Sequence, residues 1–143
     1  MSGFLLDTNA ISEVVREKPD PNVLDWFESA DENALYLSVL TLGEIRKGIA
    51  TLQQSRRRAR LETWLAIDLQ SRFAGRILPI DAAIADRWGK LVADSTRKGR
   101  TLPVIDGLLA ATASEHNLTI VSRNSDDFVS TQVSIVNPWN ISS

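Results

Sequence analysis

The chain has 143 residues, of which 43% are hydrophobic and 24% charged, and its formal net charge at pH 7 is −2. This composition is typical of one globular domain and excludes a disordered or collagen-like chain. With no cysteine and only one histidine, disulfides, thiolate nucleophiles and most zinc sites are excluded, so any metal must be held by oxygen ligands. No apolar run is long enough to span a membrane and no signal peptide is recognisable, so we expect a cytoplasmic protein without a membrane partner.

The charges are segregated along the chain. Residues 1–45 hold 2 basic and 9 acidic side chains, residues 46–100 hold 13 and 5, and residues 101–143 hold 1 and 4. The basic middle region is consistent with a polyanionic partner, and equally with solvated helix faces. Four clustered arginines fit either an exposed helix face, a partner surface or a polyanion contact; they are Arg56, Arg57, Arg58 and Arg60.

Short apolar segments, separated by segments with helical spacing, predict an α/β fold. The predicted order is β-αα-β-αα-β-αα-β-α-β, which favours a parallel sheet covered on both faces. Residues 1–140 are expected to form one domain and residues 141–143 a loose tail. The predicted strands are Phe4–Leu6, Leu35–Leu40, Ile77–Ile80, Leu118–Ser122 and Val133–Val136.

Local signals predict several helix starts. Pro21, Asp81 and Pro103 are residue types that favour the first turn or the N-cap. A capping box of Thr41 and Glu44 predicts a helix start after the second strand. Three tryptophans lie at helical spacing with aliphatic residues, which favours core packing over base stacking; they are Trp26, Trp64 and Trp88.

Polar side chains follow the predicted strands, at the edge where open α/β sheets bind ligands. Asp7 follows the first strand, Glu44 lies in the first turn after the second, and Asp106 lies in an apolar helix start. Asn124 and Asp127 follow the fourth strand. Three or four oxygen ligands at one edge suit Mg²⁺ or Mn²⁺, which activates water and stabilises charge on a phosphoryl group.

Each acid also has a purely structural explanation. Asp7 fits an N-cap, Glu44 fits the capping box, and Asp127 fits a solvated turn. Asp106 is the hardest to explain in this way, because a carboxylate among apolar residues is costly to bury unless it is paired or binds a metal. Taken singly, none of these residues decides between the two explanations.

Taken together, four blocks of the sequence resemble the PIN-domain ribonucleases. More narrowly, the chain resembles the VapC-type toxins of type II toxin–antitoxin modules, including their FitB-like branch. The blocks follow the family's order and spacing and span nearly the whole chain. They are Leu5–Asn9, Thr41–Gly48, Pro103–Ala111 and Val121–Phe128, with a similar ending at Val136–Trp139.

The resemblance implies a three-layer α/β/α sandwich around a mainly parallel five-stranded sheet. It also implies Mg²⁺-dependent hydrolysis of RNA, with Mn²⁺ as a substitute. Asp7, Glu44 and Asp106 match the family's metal-binding acids, and Thr8 matches a hydroxyl residue that supports the site.

The fourth acidic position of the family falls on Asn124, with Asp127 as the other candidate. This is a departure from the family's pattern, since an amide oxygen can bind a metal but supplies neither a negative charge nor a base. An acidic pocket also repels RNA, so basic side chains must offset the repulsion. The candidates, chosen because they lie near the acidic blocks in sequence, are Arg46, Lys47, Arg97, Lys98 and Arg100.

The resemblance further implies a cognate VapB-type antitoxin, a homodimer and a toxin–antitoxin hetero-oligomer that contacts operator DNA only through the antitoxin. A second hypothesis, prompted by Asn124, is a catalytically weak PIN-like module that binds RNA or protein. Phosphoryl-transfer domains of the receiver and haloacid-dehalogenase types fit poorly. The latter need Asp-x-Asp where this chain has Asp7-Thr8-Asn9, and the former need adjacent early acids and a late strand-end lysine.

Overall fold

The computed structural model of the protein describes residues 3–140. A π-helical turn spans Trp64–Leu69, and a 3₁₀ turn, Ser125–Thr131, follows the fourth strand. The predicted tail at residues 141–143 lies outside the described residues, so a domain boundary at residue 140 stays a prediction. The strands are β1 (Gly3–Leu6), β2 (Leu35–Ser38), β3 (Ile77–Leu78), β4 (Leu118–Val121) and β5 (Ile135–Val136). The helices are α1 (Thr8–Glu13), α2 (Pro21–Ser29), α3 (Val39–Ala50), α4 (Arg56–Thr63), α5 (Gln70–Arg72), α6 (Ala82–Arg97) and α7 (Val104–His116).

The strands form one sheet in the order β3-β2-β1-β4-β5, and every neighbouring pair is parallel. The predicted α/β fold with a parallel five-stranded sheet is confirmed. After β1 the chain moves outward through β2 and β3, then returns to the other side of β1 for β4 and β5. Such a reversal leaves a crevice at the carboxyl ends of the central strands, where ligands bind in this architecture.

Both faces of the sheet are buried, which confirms the expected three layers. Leu5 and Leu6 of β1 point to opposite faces, as successive strand residues must, and both are at most 1% exposed. One face packs against α1, α3 and the π-helical turn, and the other against α7 and the 3₁₀ turn that follows β4. Within residues 3–140, no helix has the length and apolar character needed to cross a membrane.

The start of α3 differs from the prediction. The second strand ends at Ser38 rather than Leu40, and the Ser38 side chain caps the helix by accepting a hydrogen bond from the Leu40 N–H at 3.0 Å. The predicted capping box is therefore wrong, and Thr41 lies inside the helix. Its hydroxyl is buried without a hydrogen-bond partner among the described residues. Val39 and Leu40 have the residue types of a buried strand, so the polar residue before them was the better signal.

The other helix starts lie close to their predicted positions. Pro21 is the first residue of α2, and Asp81 caps α6 through a 2.9 Å bond from the Ile84 N–H to its carboxylate. Pro103 stands at the N-cap of α7, one residue before the predicted first turn. The strands β3 and β5 contain two residues each and are shorter than predicted.

A substitution at Phe128 tests how the 3₁₀ turn after β4 is held against the sheet. Its side chain is fully buried against Leu109, Ala110 and Ala113 of α7. We expect Phe128→Ala to lower the free energy of unfolding by about 3–5 kcal/mol, because a large cavity is left beside the sheet. Urea denaturation measures the loss. The neighbouring change Val129→Ala, at a side chain that is 57% exposed, should alter stability by less than about 0.5 kcal/mol. Equal effects of the two changes would contradict the packing described here.

Candidate functional site

Asp7 lies at the carboxyl end of the central strand and is 7% exposed. Its backbone N–H continues the pairing of β1 with β4 by donating to the Val121 carbonyl at 2.9 Å. One carboxylate oxygen accepts the Thr8 N–H at 2.8 Å, so Asp7 is also the N-cap of α1. The other oxygen accepts the Ser122 hydroxyl at 2.7 Å. Asp7 therefore has both of the roles considered for it: it caps a helix and it lies at the strand edge.

Ser122 and Asn9, which the sequence analysis did not select, organise this edge. The Ser122 hydroxyl accepts the Asn124 N–H at 3.0 Å and lies 3.4 Å from the Asn9 side-chain nitrogen. The Asn9 side-chain oxygen accepts the Arg123 N–H at 3.1 Å. These bonds fix the loop after β4 against Asp7. Their signal in the sequence was the position of Ser122 at the end of a predicted strand.

Glu44 reaches the site from the second turn of α3, as the sixth residue of that helix, and not from the first turn as predicted. The Thr8 hydroxyl donates to a Glu44 carboxylate oxygen at 2.5 Å. Thr8 thus touches two acids, Asp7 with its backbone and Glu44 with its side chain. The expected place of Thr8 beside the acids is what the structure shows.

Asp106, the third residue of α7, is half-buried and completes the group. Burial raises the pKa of its carboxyl to about 6, and the negative charges of Asp7, Asp127 and Glu44 contribute to the rise. The pKa of Asp7 is also raised, mainly by burial and further by Glu44 and Asp127, although the bonds from Ser122 and Thr8 oppose the shift. Four carboxylates therefore lie within electrostatic reach of one another.

Of the two candidates for the fourth position, Asp127 is the one whose charge acts on the other acids of the site. The negative charge of Asp127 raises the pKa of both Asp7 and Asp106. The backbone of Asn124 holds the loop in place: its N–H donates to Ser122, and its carbonyl accepts the Asp127 N–H at 3.0 Å. The uncharged amide at Asn124 therefore does not leave the site one negative charge short, because Asp127 supplies that charge.

The chemistry of these side chains fits a hard cation. Among residues 3–140, none of the four carboxylates forms an ion pair with a basic side chain. A bound divalent cation would relieve the mutual repulsion that raises the pKa of Asp106. As the side chains lie, no group of three or more Asp, Glu, His or Cys in the described part of the chain is close enough to hold a metal ion. Binding one would therefore draw the carboxylates together.

The predicted basic residues lie in two separate places. Arg46 and Lys47 are exposed on the second half of α3, and Arg46 lies 3.7 Å from a carboxylate oxygen of Glu62. Arg97 pairs with Asp94 at the end of α6, with Lys98 and Arg100 exposed just beyond it. In the part of the chain that is described, none of these five forms an ion pair with the four acids.

The sheet order, the covered faces and the acids at the carboxyl edge define the class of protein. A five-stranded parallel sandwich in which Asp7, Glu44 and Asp106 gather at the carboxyl edge of the sheet is the arrangement expected of a PIN domain. Residues 4–133 match the model of the PIN domain. The chain belongs to the PIN domain family.

Proteins with similar sequences include a toxin and a VapC ribonuclease. The chain is 36% identical to the toxin FitB of Neisseria gonorrhoeae, over 96% of this chain and 99% of FitB. It is 34% identical to the VapC ribonuclease Y4jK of Sinorhizobium fredii, over 95% of this chain and 97% of that protein. The crystal structure of FitAcB from Neisseria gonorrhoeae superposes with a TM-score of 0.92 at 36% identity, covering 96% of this chain and 99% of the matched chain.

The raised pKa of Asp106 has a consequence for stability. The pKa rises from an ordinary 3.8 to about 6 on folding, so the folded protein binds the proton more tightly. Asp106 therefore favours folding most below its unfolded pKa, and this contribution is lost as the pH rises through about 6. We expect Asp106→Asn to raise the Tm of the metal-free protein by about 2–4 °C at about pH 8, and by less at about pH 4.5.

Thermal unfolding with a chelator at the two pH values measures the effect. Asp126→Asn, a change of the same type in an exposed acid of the 3₁₀ turn, serves as the control and should shift the Tm little at either pH. A lower Tm for Asp106→Asn at both pH values would contradict this electrostatic account.

Proposed function

We propose that this protein is a metal-dependent endoribonuclease and the toxin of a toxin–antitoxin module. The observation that carries the proposal is the meeting of four carboxylates, from four separate segments of the chain, at the carboxyl edge of the sheet. No basic side chain among residues 3–140 neutralises them. Similarity to a toxin and to a VapC ribonuclease over nearly the whole chain supports the same conclusion.

In this proposal Asp7, Glu44 and Asp106 hold a divalent cation, with Mg²⁺ or Mn²⁺ the ions best suited to oxygen ligands. When bound, the cation supplies an activated water and stabilises the charge that develops on the scissile phosphate. Ser122 orients the Asp7 carboxylate and the Thr8 hydroxyl orients Glu44, through bonds of 2.7 and 2.5 Å.

Glu44, whose carboxylate accepts the Thr8 hydroxyl, would either bind the cation directly or orient the attacking water. Asp127, in preference to Asn124, completes the negative charge around the substrate phosphate, since it is felt by both Asp7 and Asp106. The alternative of a catalytically weak binding module was prompted by the amide at Asn124. The charge of Asp127, which raises the pKa of both Asp7 and Asp106, favours the ribonuclease over that alternative.

Repulsion between this site and RNA has to be offset by basic side chains. The two groups found on the surface, one with Arg46 and Lys47 on α3 and one with Arg97, Lys98 and Arg100 beyond α6, stay candidates for this role. A VapB-type antitoxin that covers the acids, a homodimer and a cytoplasmic location complete the proposal. Contact with operator DNA would then be made by the antitoxin.

Loss of single carboxylates tests the proposed reaction. We expect Asp7→Ala and Asp106→Asn to reduce Mg²⁺-dependent cleavage of RNA by at least about 100-fold, since each removes negative charge needed to hold the cation. Removal of the metal with a chelator should abolish cleavage, and Mn²⁺ should restore it. A gel assay on labelled RNA, with circular dichroism to verify folding, measures this. Wild-type protein that cuts no RNA with either metal would overturn the proposal.

Two neighbouring acids separate a role in the site from general surface charge. Asp126 and Asp127 are both exposed in the same 3₁₀ turn, but only Asp127 raises the pKa of Asp7 and Asp106. We expect Asp127→Asn to lower the cleavage rate about 10-fold or more and Asp126→Asn to leave it within about twofold. Equal cleavage rates for the two variants would contradict a role for Asp127 and favour Asn124 as the fourth residue of the site. The cleavage rate of Asn124→Ala would then test Asn124.

Growth assays test the proposed toxin–antitoxin pairing. Expression of the wild-type chain should arrest growth, and expression of Asp106→Asn should not. Co-expression of a small protein encoded next to this chain should restore growth and suppress cleavage by the purified complex. If neither growth nor cleavage changes in its presence, that neighbour is not the antitoxin.

A further inference from the structure

A groove between α1, α3 and α4 opens directly beside the acidic site. Thr8 and Glu44, two members of that site, line it and therefore belong to both surfaces. Its volume is about 280 Å³. Most of the remaining lining is apolar and comes from α3, α4 and the start of the π-helical turn, including Ile45, Ile49, Leu61 and Trp64.

Guanidinium groups form the rim of this groove. Arg16, just beyond α1, and Arg57, at the start of α4, both line it, and Arg60 lines the adjoining surface. We call the groove, together with its rim of Arg16 and Arg57, the basic groove. The only acid facing Arg57 among the described ion pairs is Glu17, at 4.0 Å, and the Glu17 side chain is 83% exposed. An exposed pair at this distance is weak and easily exchanged for another anion.

Arg16 is held in position by a buried carboxylate. Glu13, whose side chain is 4% exposed, accepts from the Arg16 guanidinium at 3.1 Å and from the Asp20 N–H at 2.8 Å. The Arg16 side chain itself is 59% exposed, so most of its guanidinium faces solvent. Glu13 thus fixes the turn after α1 and orients Arg16 on the rim. Glu13 has no part in the proposed cleavage of RNA.

We propose that the basic groove binds the single-stranded RNA segment next to the scissile phosphate. Arg16 and Arg57 bind its phosphates, and the apolar floor at Leu61 and Trp64 faces its bases. Guanidinium groups match phosphate oxygens geometrically, and single-stranded RNA presents both charged phosphates and exposed base faces. This inference rests on the proposed ribonuclease function.

Continuity with the acids favours RNA over a protein segment as the occupant. A substrate strand cut at Asp7 and Asp106 has to extend away from them on each side, and Thr8 and Glu44 connect the acids to the groove. Arginines at the rim attract the strand that the carboxylates repel. The sequence alone did not decide whether the four arginines around Ala59 form an exposed helix face or a binding surface. In this proposal Arg57 belongs to the groove and Arg60 to the surface that adjoins it.

The experiment compares two adjacent arginines of α4. Arg57 lines the groove and Arg56 is exposed elsewhere on the helix, so Arg57→Ala and Arg56→Ala remove the same charge from nearly the same place. Binding of a fluorescein-labelled single-stranded RNA is measured by fluorescence polarisation at several salt concentrations. Steady-state cleavage of the same RNA gives KM and kcat.

We expect Arg57→Ala and Arg16→Ala to raise Kd and KM about three- to tenfold with little change in kcat. Each change should reduce the slope of log K against log salt by about 0.7, the value for one phosphate contact on a single strand. Arg57→Lys should recover part of the slope. Arg56→Ala should alter Kd by less than about twofold. Thermal melts of Arg56→Ala and Arg57→Ala should resemble that of the wild type, whereas Arg16→Ala removes the ion-pair partner of the buried Glu13 and should melt at a lower temperature.

Equal effects of Arg56→Ala and Arg57→Ala on RNA would overturn the inference and leave the ribonuclease function standing, because the wild type still cuts. The same holds if Arg57→Ala weakens only the complex with the antitoxin, which would assign the groove to a protein segment. Failure of the wild type to cut RNA at all is the separate result that overturns the proposed function itself.

Discussion

Burial of both faces of β1 is the constraint on which the rest of the structure depends. Leu5 and Leu6 point to opposite sides of the sheet and each is covered by a layer of helices. A strand buried in this way has no place for a charge along its length, so its first charged residue comes where the strand ends. Asp7 stands at that point. In β4, Ile120 and Val121 are likewise covered on opposite faces, and the first polar side chain, that of Ser122, comes directly after the strand.

The acids that gather there oppose folding when they are all ionised, and the structure only partly offsets this. The bonds from Ser122 and from the Thr8 backbone stabilise the Asp7 carboxylate, yet its pKa is still raised. The side chain of Asp106 accepts no hydrogen bond among the described residues, and its pKa is raised further, to about 6. Proteins accept such local cost where function requires it, and the two buried clusters on either side of the sheet support it here.

Much of the fold and of the site could be predicted because the signals were local. The apolar runs and the acid that follows β1 are written in consecutive residues, so the sheet and the position of Asp7 at its edge could be predicted. Asp106 stood out because it is a carboxylate within an apolar helix start. The start of α3 was missed because Ser38 and Thr41 both offer a cap and only the folded chain shows which one is used. The link from Ser122 to Asp7 depends on β4 pairing beside β1, a long-range contact that has no local signal.

The pairing of β1 with β4 also determines when during synthesis the site can exist. Asp7 is synthesised long before its partner strand β4, its hydrogen-bond donor Ser122 and the neighbouring Asp127, which all come later in the sequence. A nascent chain that stops before β4 has three of the four acids, Asp7, Glu44 and Asp106, without the strand that holds the edge of the site together. The acidic site is therefore completed only once β4 and the turn that follows it have been made and β4 has paired with β1.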